Sequence, residues 1–194
     1  MPNFPIFDRS KSPIITKGTN NYTQKNAAEP PQSAVSATTG GFFSINASNS
    51  ASLGLLGGTV NISVRIANPS NSGKTLYLKQ IYGNTNVSLS LLSSFSGQVT
   101  ALSGGTLTSP STLTPATFQL GSSATSVMTA TSSTSAITGG TSFALYPLFP
   151  GPFFLEYSGS ILVPPGQALS VNVFGSLSVL GILGTAVEVI WWEA

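Results

Sequence analysis

Residues 60–66 read VNISVRI, and apolar side chains alternate with polar ones at every position of this stretch. Successive side chains of a β-strand point to opposite faces of the sheet, so the alternation predicts a strand with one buried face. On either side of this stretch, the same alternation of apolar and polar residues recurs at residues 43–47, 87–91 and 168–174. Together these runs favour an all-β fold.

The remainder of the chain after residue 40 points the same way. Short apolar-alternating runs are separated by turn residues, chiefly Gly, Pro, Asn and Ser. These further candidate strands are residues 76–81, 117–120, 126–131, 142–146, 153–157, 160–163 and 185–192. Roughly ten or eleven strands at this spacing predict a single antiparallel β-sandwich of jelly-roll type, with some other β-sandwich as the alternative. The Ser/Thr/Gly-rich residues 93–114 are expected to form extended loops.

Residues 1–40 differ from residues 41–194, which form the predicted sandwich domain. The first part is polar, interrupted by prolines and richer in charge, so we interpret it as an extended N-terminal arm or connector. Its apolar residues, which a solvated tail would not need, are Phe4, Ile6, Phe7, Ile14 and Ile15. Fully extended, 29 residues reach on the order of 95 Å, enough to cross a neighbouring subunit. We expect these side chains to form a subunit interface by strand addition; the alternative is a disordered tail.

The composition removes most catalytic and metal chemistry. The chain has no His and no Cys, which excludes a Ser-His-Asp triad, a Cys nucleophile and a zinc site of the usual kind. Asp8 is its single Asp, so an Asp-rich calcium loop is absent too. The segment NPSNSGKT at residues 68–75 lacks the first glycine of a phosphate-binding loop and lies between two predicted strands. We therefore expect no enzyme activity, no cofactor and no metal.

Charge is scarce and unevenly placed. Only 6% of residues are charged, with 7 Lys and Arg against 5 Asp and Glu. Six of these residues lie in the arm: Asp8, Arg9, Lys11, Lys17, Lys25 and Glu29. The predicted domain is therefore formally neutral, which favours association over mutual repulsion. We expect the three glutamates of the domain, Glu156, Glu188 and Glu193, to face solvent or to pair with Lys74 and Lys79 across a sheet.

The same counts bear on partners and location. The arm's basic residues are too few and too diluted by acids for a nucleic-acid site. The uncharged residues 167–187 alternate at strand period, so we expect no membrane span. Pro2, Pro5 and Asp8 interrupt the start of the chain, and no conventional signal peptide is expected. The expected location is extracellular by another route, on a cell or spore surface, or on a virion.

Aromatic residues cluster around three prolines between residues 146 and 157. The residues of this candidate contact surface are Tyr146, Phe149, Phe153, Phe154 and Tyr157. Such a cluster could serve as a carbohydrate platform, but core packing or a subunit contact is the favoured interpretation.

Three segments resemble a known pattern: SGKTLYLKQIY at residues 72–82, GSILVPPGQALSVNV at residues 159–173 and VEVIWWEA at residues 187–194. The pattern is similar to that of jelly-roll β-sandwich structural proteins of Firmicutes and their phages. These proteins include virion components and subunits of spore-surface appendages, which carry an N-terminal connector arm and no signal peptide. The known appendage subunits crosslink through arm cysteines; this chain has none, so any linkage here is expected to be non-covalent.

Together these observations predict a structural subunit. Its expected partner is itself, in a homopolymeric extracellular filament or appendage joined by the N-terminal arm. The alternative is a phage virion protein, such as a capsid decoration or tail-fibre component. A third hypothesis is a carbohydrate-binding or adhesive tip domain that uses the aromatic cluster.

Overall fold

The structure is a computed structural model, and it describes residues 39–89 and 93–194. These ranges contain eleven strands and no helix. The strands are β1 (Phe42–Leu53), β2 (Gly58–Ala67), β3 (Leu76–Leu89), β4 (Phe95–Ser103), β5 (Ser111–Leu113), β6 (Ala116–Thr117), β7 (Thr129–Ser133), β8 (Thr141–Leu148), β9 (Gly151–Val163), β10 (Ala168–Leu177) and β11 (Gly181–Glu193). The five apolar arm residues, Phe4, Ile6, Phe7, Ile14 and Ile15, lie outside the described residues.

The strands form two antiparallel sheets. The five-stranded sheet has the order β6-β1-β11-β3-β9, and the six-stranded sheet has the order β5-β7-β2-β10-β4-β8. The apolar faces of the two sheets pack against each other in one large cluster, and Val60, Leu177 and Leu183 form a smaller cluster of their own. The prediction of an all-β, antiparallel β-sandwich is therefore confirmed for the part of the chain that the structure describes.

The long strands pair in a nested order. β1 pairs with β11, β2 with β10, β3 with β9 and β4 with β8, so the first long strand lies beside the last and the pairing continues inward. The short strands β5, β6 and β7 come between β4 and β8 in the chain and extend the two sheets at the side opposite β8 and β9. The eight long strands thus pair in the order of one long antiparallel hairpin, with β1 to β4 as one arm and β8 to β11 as the other.

The stretch VNISVRI lies at the centre of this arrangement, in β2. Val60, Ile62, Val64 and Ile66 are all buried between the sheets, as their alternation predicts. Ser63, on the other face, is buried as well, because its hydroxyl donates to the carbonyl of Ser135 in the loop after β7. The loop after β7 therefore covers the polar face of β2 at Ser63, which the alternation alone does not reveal.

The expectation of extended loops across residues 93–114 is wrong for most of that stretch. β4 is a strand that pairs with β10 on one side and β8 on the other, and Val99 and Ala101 are completely buried. Its small polar residues have little strand preference of their own. Ladders on both sides supply the pairing that decides the conformation.

Residues 153–157 and 160–163 also differ from the prediction of two separate strands. They belong to a single strand, β9, which continues through a bulge opposite Leu78 and Gln80 of β3. At this irregularity residues 157–160 of β9 lie opposite the single residue Lys79 of β3, and Ser158 and Gly159 have φ angles of 47° and 80°. Three extra residues are thus accommodated without ending the strand.

Candidate functional site

The outer edge of β1 is the clearest surface for contact with another chain. β11 pairs with the inner edge of β1 along its whole length. On the outer edge, the one described partner is β6, which reaches only Phe43 and Ser44. From Ile45 to Leu53, no strand in the described ranges pairs with this edge.

Two backbone hydrogen bonds show in which direction the unpaired N–H and C=O groups of β1 point. The N–H of Glu193 donates to the carbonyl of Gly41 at 2.9 Å, and the N–H of Phe118 donates to the carbonyl of Phe42 at 3.0 Å. Odd-numbered residues of β1 therefore direct their backbone groups to β11, and even-numbered residues direct theirs outward, because these directions alternate in an antiparallel strand. The residues whose N–H and C=O groups point outward beyond β6 are Asn46, Ser48, Ser50 and Ser52.

This edge lacks the features that usually prevent strand addition. β1 reads FFSINASNSASL and contains no proline and no charged residue. The opposite edges of the sandwich do carry such features: Pro147 lies in β8, and β9 contains Pro152, Glu156 and the bulge at Ser158. The outer edge of β1 is therefore the least protected of the long edges.

The inward-facing residues next to this edge are only half covered. Ala47, Ala51 and Leu53 face the sandwich interior but remain partly exposed, because no described strand lies beyond β1 at this level. Their partial exposure leaves apolar surface that an additional strand could cover with its own side chains.

An apolar tip lies at the end of β1 that faces away from residue 39. There the β1–β2 turn exposes Leu55 and Leu56, which are 80% and 96% accessible, and the β10–β11 turn exposes Leu180. The two turns are in contact, since a Cβ added to Gly57 would lie 2.6 Å from the carbonyl carbon of Ser178. Twelve strand residues at about 3.4 Å each separate this tip from the point where the arm joins the domain.

The predicted aromatic surface is divided between the two faces of β9. Phe153 and Tyr157 face inward and pack against the core, whereas Phe154 faces outward and is 59% accessible. Phe149 is mostly exposed in the β8–β9 connection, and Tyr146 is partly exposed. Burial raises the pKa of Tyr157 well above its ordinary value, and the neighbouring Tyr146 adds to the effect.

The three glutamates have different surroundings. Glu193 is buried, and its carboxylate accepts hydrogen bonds from the Ser126 hydroxyl, the Val127 N–H at 3.2 Å and the Trp191 indole N–H at 3.1 Å. Lys74 Nζ lies 3.9 Å away, so the expected lysine partner is present, although most of the contacts come from other groups. Glu188 accepts from the Tyr82 hydroxyl, and Glu156 accepts from the exposed Ser158 hydroxyl at 3.2 Å.

These carboxylates are dispersed over the sandwich. Within the described ranges, no three metal-ligating side chains come together. No helix in the same ranges has the length and apolar character needed to cross a bilayer.

Sequence reasoning did not single out the free edge of β1. The signal was present in residues 42–53 as a strand-forming stretch without proline or charge. The sequence does not show which strands pair with each other. One side of β1 is seen to be open only when these pairings are known from the structure.

Comparison of the chain with protein-family models, with curated proteins and with solved structures gives no match.

Proposed function

We propose that this protein is a non-enzymatic structural subunit that polymerises with copies of itself, the arm of one subunit adding as a strand to β1 of the next. The observation that carries the proposal is the outer edge of β1 from Ile45 to Leu53, which is long, unpaired among the described strands and free of protective residues.

The arm has the composition that such an edge requires. Phe4 and Ile6 are two residues apart, so in an extended strand both side chains point to the same face. On the edge of β1 that face would lie over the half-covered Ala47 and Ala51. The backbone hydrogen bonds supply affinity, and the apolar side chains set the register.

The positions of the arm and of the unpaired edge along the sandwich favour an open polymer. The arm joins the domain at the start of β1, whereas the unpaired edge runs toward the apolar tip at the other end. A donor at one end and an acceptor that extends to the other make a head-to-tail contact, which forms a filament when the rotation between subunits does not close a ring. Because a filament of this kind is an external structure, the proposed location is a cell or spore surface.

We also propose that the sandwich is a jelly roll. The support is the nested pairing of β1 with β11, β2 with β10, β3 with β9 and β4 with β8, since a jelly roll is a long antiparallel hairpin wrapped into two sheets. In this interpretation, β5, β6 and β7 are an insertion between the two innermost strands.

Negative-stain electron microscopy of the purified full chain tests the proposed function. The expected result is a polymer of uniform width formed by the chain alone. A variant that lacks residues 2–29 should remain folded by circular dichroism and sediment as a monomer. Filaments from the shortened chain, or monomers from the full chain at every concentration, would contradict the proposal.

A further inference from the structure

A polar groove runs along the outer face of the five-stranded sheet. Its floor is β11, where Gly184 and Ala186 carry almost no side chain. One wall is formed by Ser48 and Ser50 of β1, and the other by Asn84 and Asn86 of β3. The register places these residues in two rows, Ser48-Ala186-Asn84 and Ser50-Gly184-Asn86, and the space between the walls is about 420 Å³.

The groove continues into a second hollow of about 290 Å³ that shares Ser48, Asn84 and Ala186 with the first. Its lining adds Tyr82, Glu188 and Asn46, which form the next row across β3, β11 and β1. Phe154 of β9 lies opposite Tyr82 in register and is exposed on the same face. Two aromatic rings therefore stand beside one end of a groove that is otherwise lined by amides and hydroxyls.

The chemistry of the lining specifies a neutral ligand. Neither hollow is lined by Lys or Arg, and the single carboxylate, Glu188, already accepts from Tyr82. Asn84 Nδ2 donates to Asn86 Oδ1 at 2.9 Å, which joins the two amides and fixes their orientation on the groove wall. Amides and hydroxyls of this kind both donate to and accept from the hydroxyls of an uncharged ligand.

The shape of the groove also limits the kind of ligand that can bind. β1 and β3 lie on either side of β11, so their backbones are about 9 to 10 Å apart. Since β11 is paired on both sides, a peptide in the groove would find side chains but no free backbone ladder along the floor. A chain of sugar rings needs no such ladder, because its hydroxyls bond to amides and hydroxyls and its apolar ring faces stack on aromatic side chains.

We propose that this groove binds a neutral oligosaccharide, with one ring against Tyr82 and Phe154 and the following rings over Ala186 and Gly184. Asn84, Asn86 and Ser48 supply the hydrogen bonds to the sugar. The groove shares Ser48 and Ser50 with the β1 edge, but it uses their side chains whereas the proposed assembly uses their backbone groups. Sugar binding there would let a filament attach to a glycan-bearing surface.

Calorimetric titration of the full chain with cellohexaose, chitohexaose and mannohexaose tests the proposal. We expect saturable binding of at least one of the three at millimolar concentration or below. Gly184→Val should reduce that binding at least tenfold, because it fills the floor while every polar group of the lining stays in place. Position 184 tolerates a side chain: the atoms nearest to a Cβ there are the Cβ atoms of Asn86 and Ser50 at 3.7 Å and the Asn49 carbonyl oxygen at 3.9 Å, which are ordinary van der Waals distances. Phe149→Ser, outside the groove, is the control and should leave the affinity unchanged.

The proposal is overturned if none of the three sugars binds, or if Gly184→Val binds as tightly as the unaltered chain. It is also overturned if Gly184→Val abolishes polymer formation without changing sugar affinity, because the groove would then be covered by a second copy of the chain. Failure of the full chain to polymerise, with sugar binding intact, would instead reject the assembly function and leave the groove proposal standing.

Discussion

The indole ring of Trp192 occupies the space that a side chain at Gly159 would need: a Cβ on Gly159 would lie 2.1 Å from Trp192 Cη2. The same ring stacks on Tyr77 with centroids 5.4 Å apart and an interplanar angle of 3°. Gly159 also has a φ of 80°, which L side chains seldom adopt. Position 159 in the bulge of β9 therefore requires glycine for two reasons: the positive φ angle and the space that the Trp192 ring occupies.

The first prediction concerns this contact. Gly159→Ala should destabilise the domain by more than about 3 kcal/mol, since overpacking adds to the backbone strain. Gly166→Ala is the matched control, because its φ is 83° but the nearest atom to an added Cβ is 3.9 Å away. The control should lose only about 1 to 2 kcal/mol in urea unfolding. Equal losses for the two variants would contradict the role of Trp192.

Assembly should depend on the outward N–H groups of β1. Replacing Ser48 and Ser50 together by proline removes two of them without affecting the ladder to β11, whose hydrogen bonds use the odd-numbered residues. We expect folded subunits that no longer form polymer, as measured by sedimentation and electron microscopy. The double replacement by alanine removes the same hydroxyls but keeps both N–H groups, so it should still polymerise. Polymer from the proline variant would place the contact elsewhere.

The buried carboxylate of Glu193 should contribute more to stability than its lysine partner does. Glu193→Ala leaves the donors of Ser126, Val127 and Trp191 without an acceptor, and we expect a loss of about 3 kcal/mol. Lys74→Ala removes a half-exposed ammonium 3.9 Å from the carboxylate and should cost at most about 1 kcal/mol. Urea unfolding of both variants measures the difference. A larger loss for Lys74→Ala would mean that the ion pair dominates.

Titration of Tyr82 should report its bond to Glu188. The pKa of Tyr82 is raised from 10 to about 12, chiefly by the hydrogen bond to this carboxylate and further by partial burial and the negative charge. The folded state therefore holds this proton more tightly than the unfolded state. Its contribution to stability is complete below pH 10 and is lost as the pH rises through about 12.

Glu188→Gln should bring the pKa of Tyr82 back toward 10, followed through the NMR shift of its Cζ carbon. Glu156→Gln, an acid-to-amide change at a carboxylate that bonds to Ser158 instead, is the control and should leave the titration of Tyr82 in place. An unchanged Tyr82 pKa in Glu188→Gln would show that the hydrogen bond is absent in solution.

Much of the sandwich could be predicted because its strands alternate cleanly. Val60, Ile62 and Val64 face the core as the pattern indicates. β4 was missed because its conformation is imposed by β8 and β10, and the local preference of its Ser, Gly and Gln residues carries no such information. The pairing of strands depends on the whole chain. Local sequence patterns therefore predict where strands form better than they predict which strands lie side by side.

The candidate sites were harder to predict for the same reason. Ser48, Asn84 and Ala186 form one row of the groove, yet they come from three distant parts of the sequence and none is distinctive by itself. Phe153, Phe154 and Tyr157 could be identified as an aromatic cluster, but the alternation along β9 divides them between the core and the surface. A cluster in sequence becomes a surface only if its members share a face.

The nested pairing also determines when a newly made chain can fold. β1 depends on β11 for its one long ladder, so during synthesis it waits for nearly all the other strands to be translated. Contacts between such distant parts of a chain form slowly and expose strand edges meanwhile. Until β11 docks, β1 is open on both sides; afterwards a single edge is left. Completion of the fold thus converts a segment with two open edges into one with a single open edge. In the proposed assembly, ordered growth would therefore begin only with finished subunits.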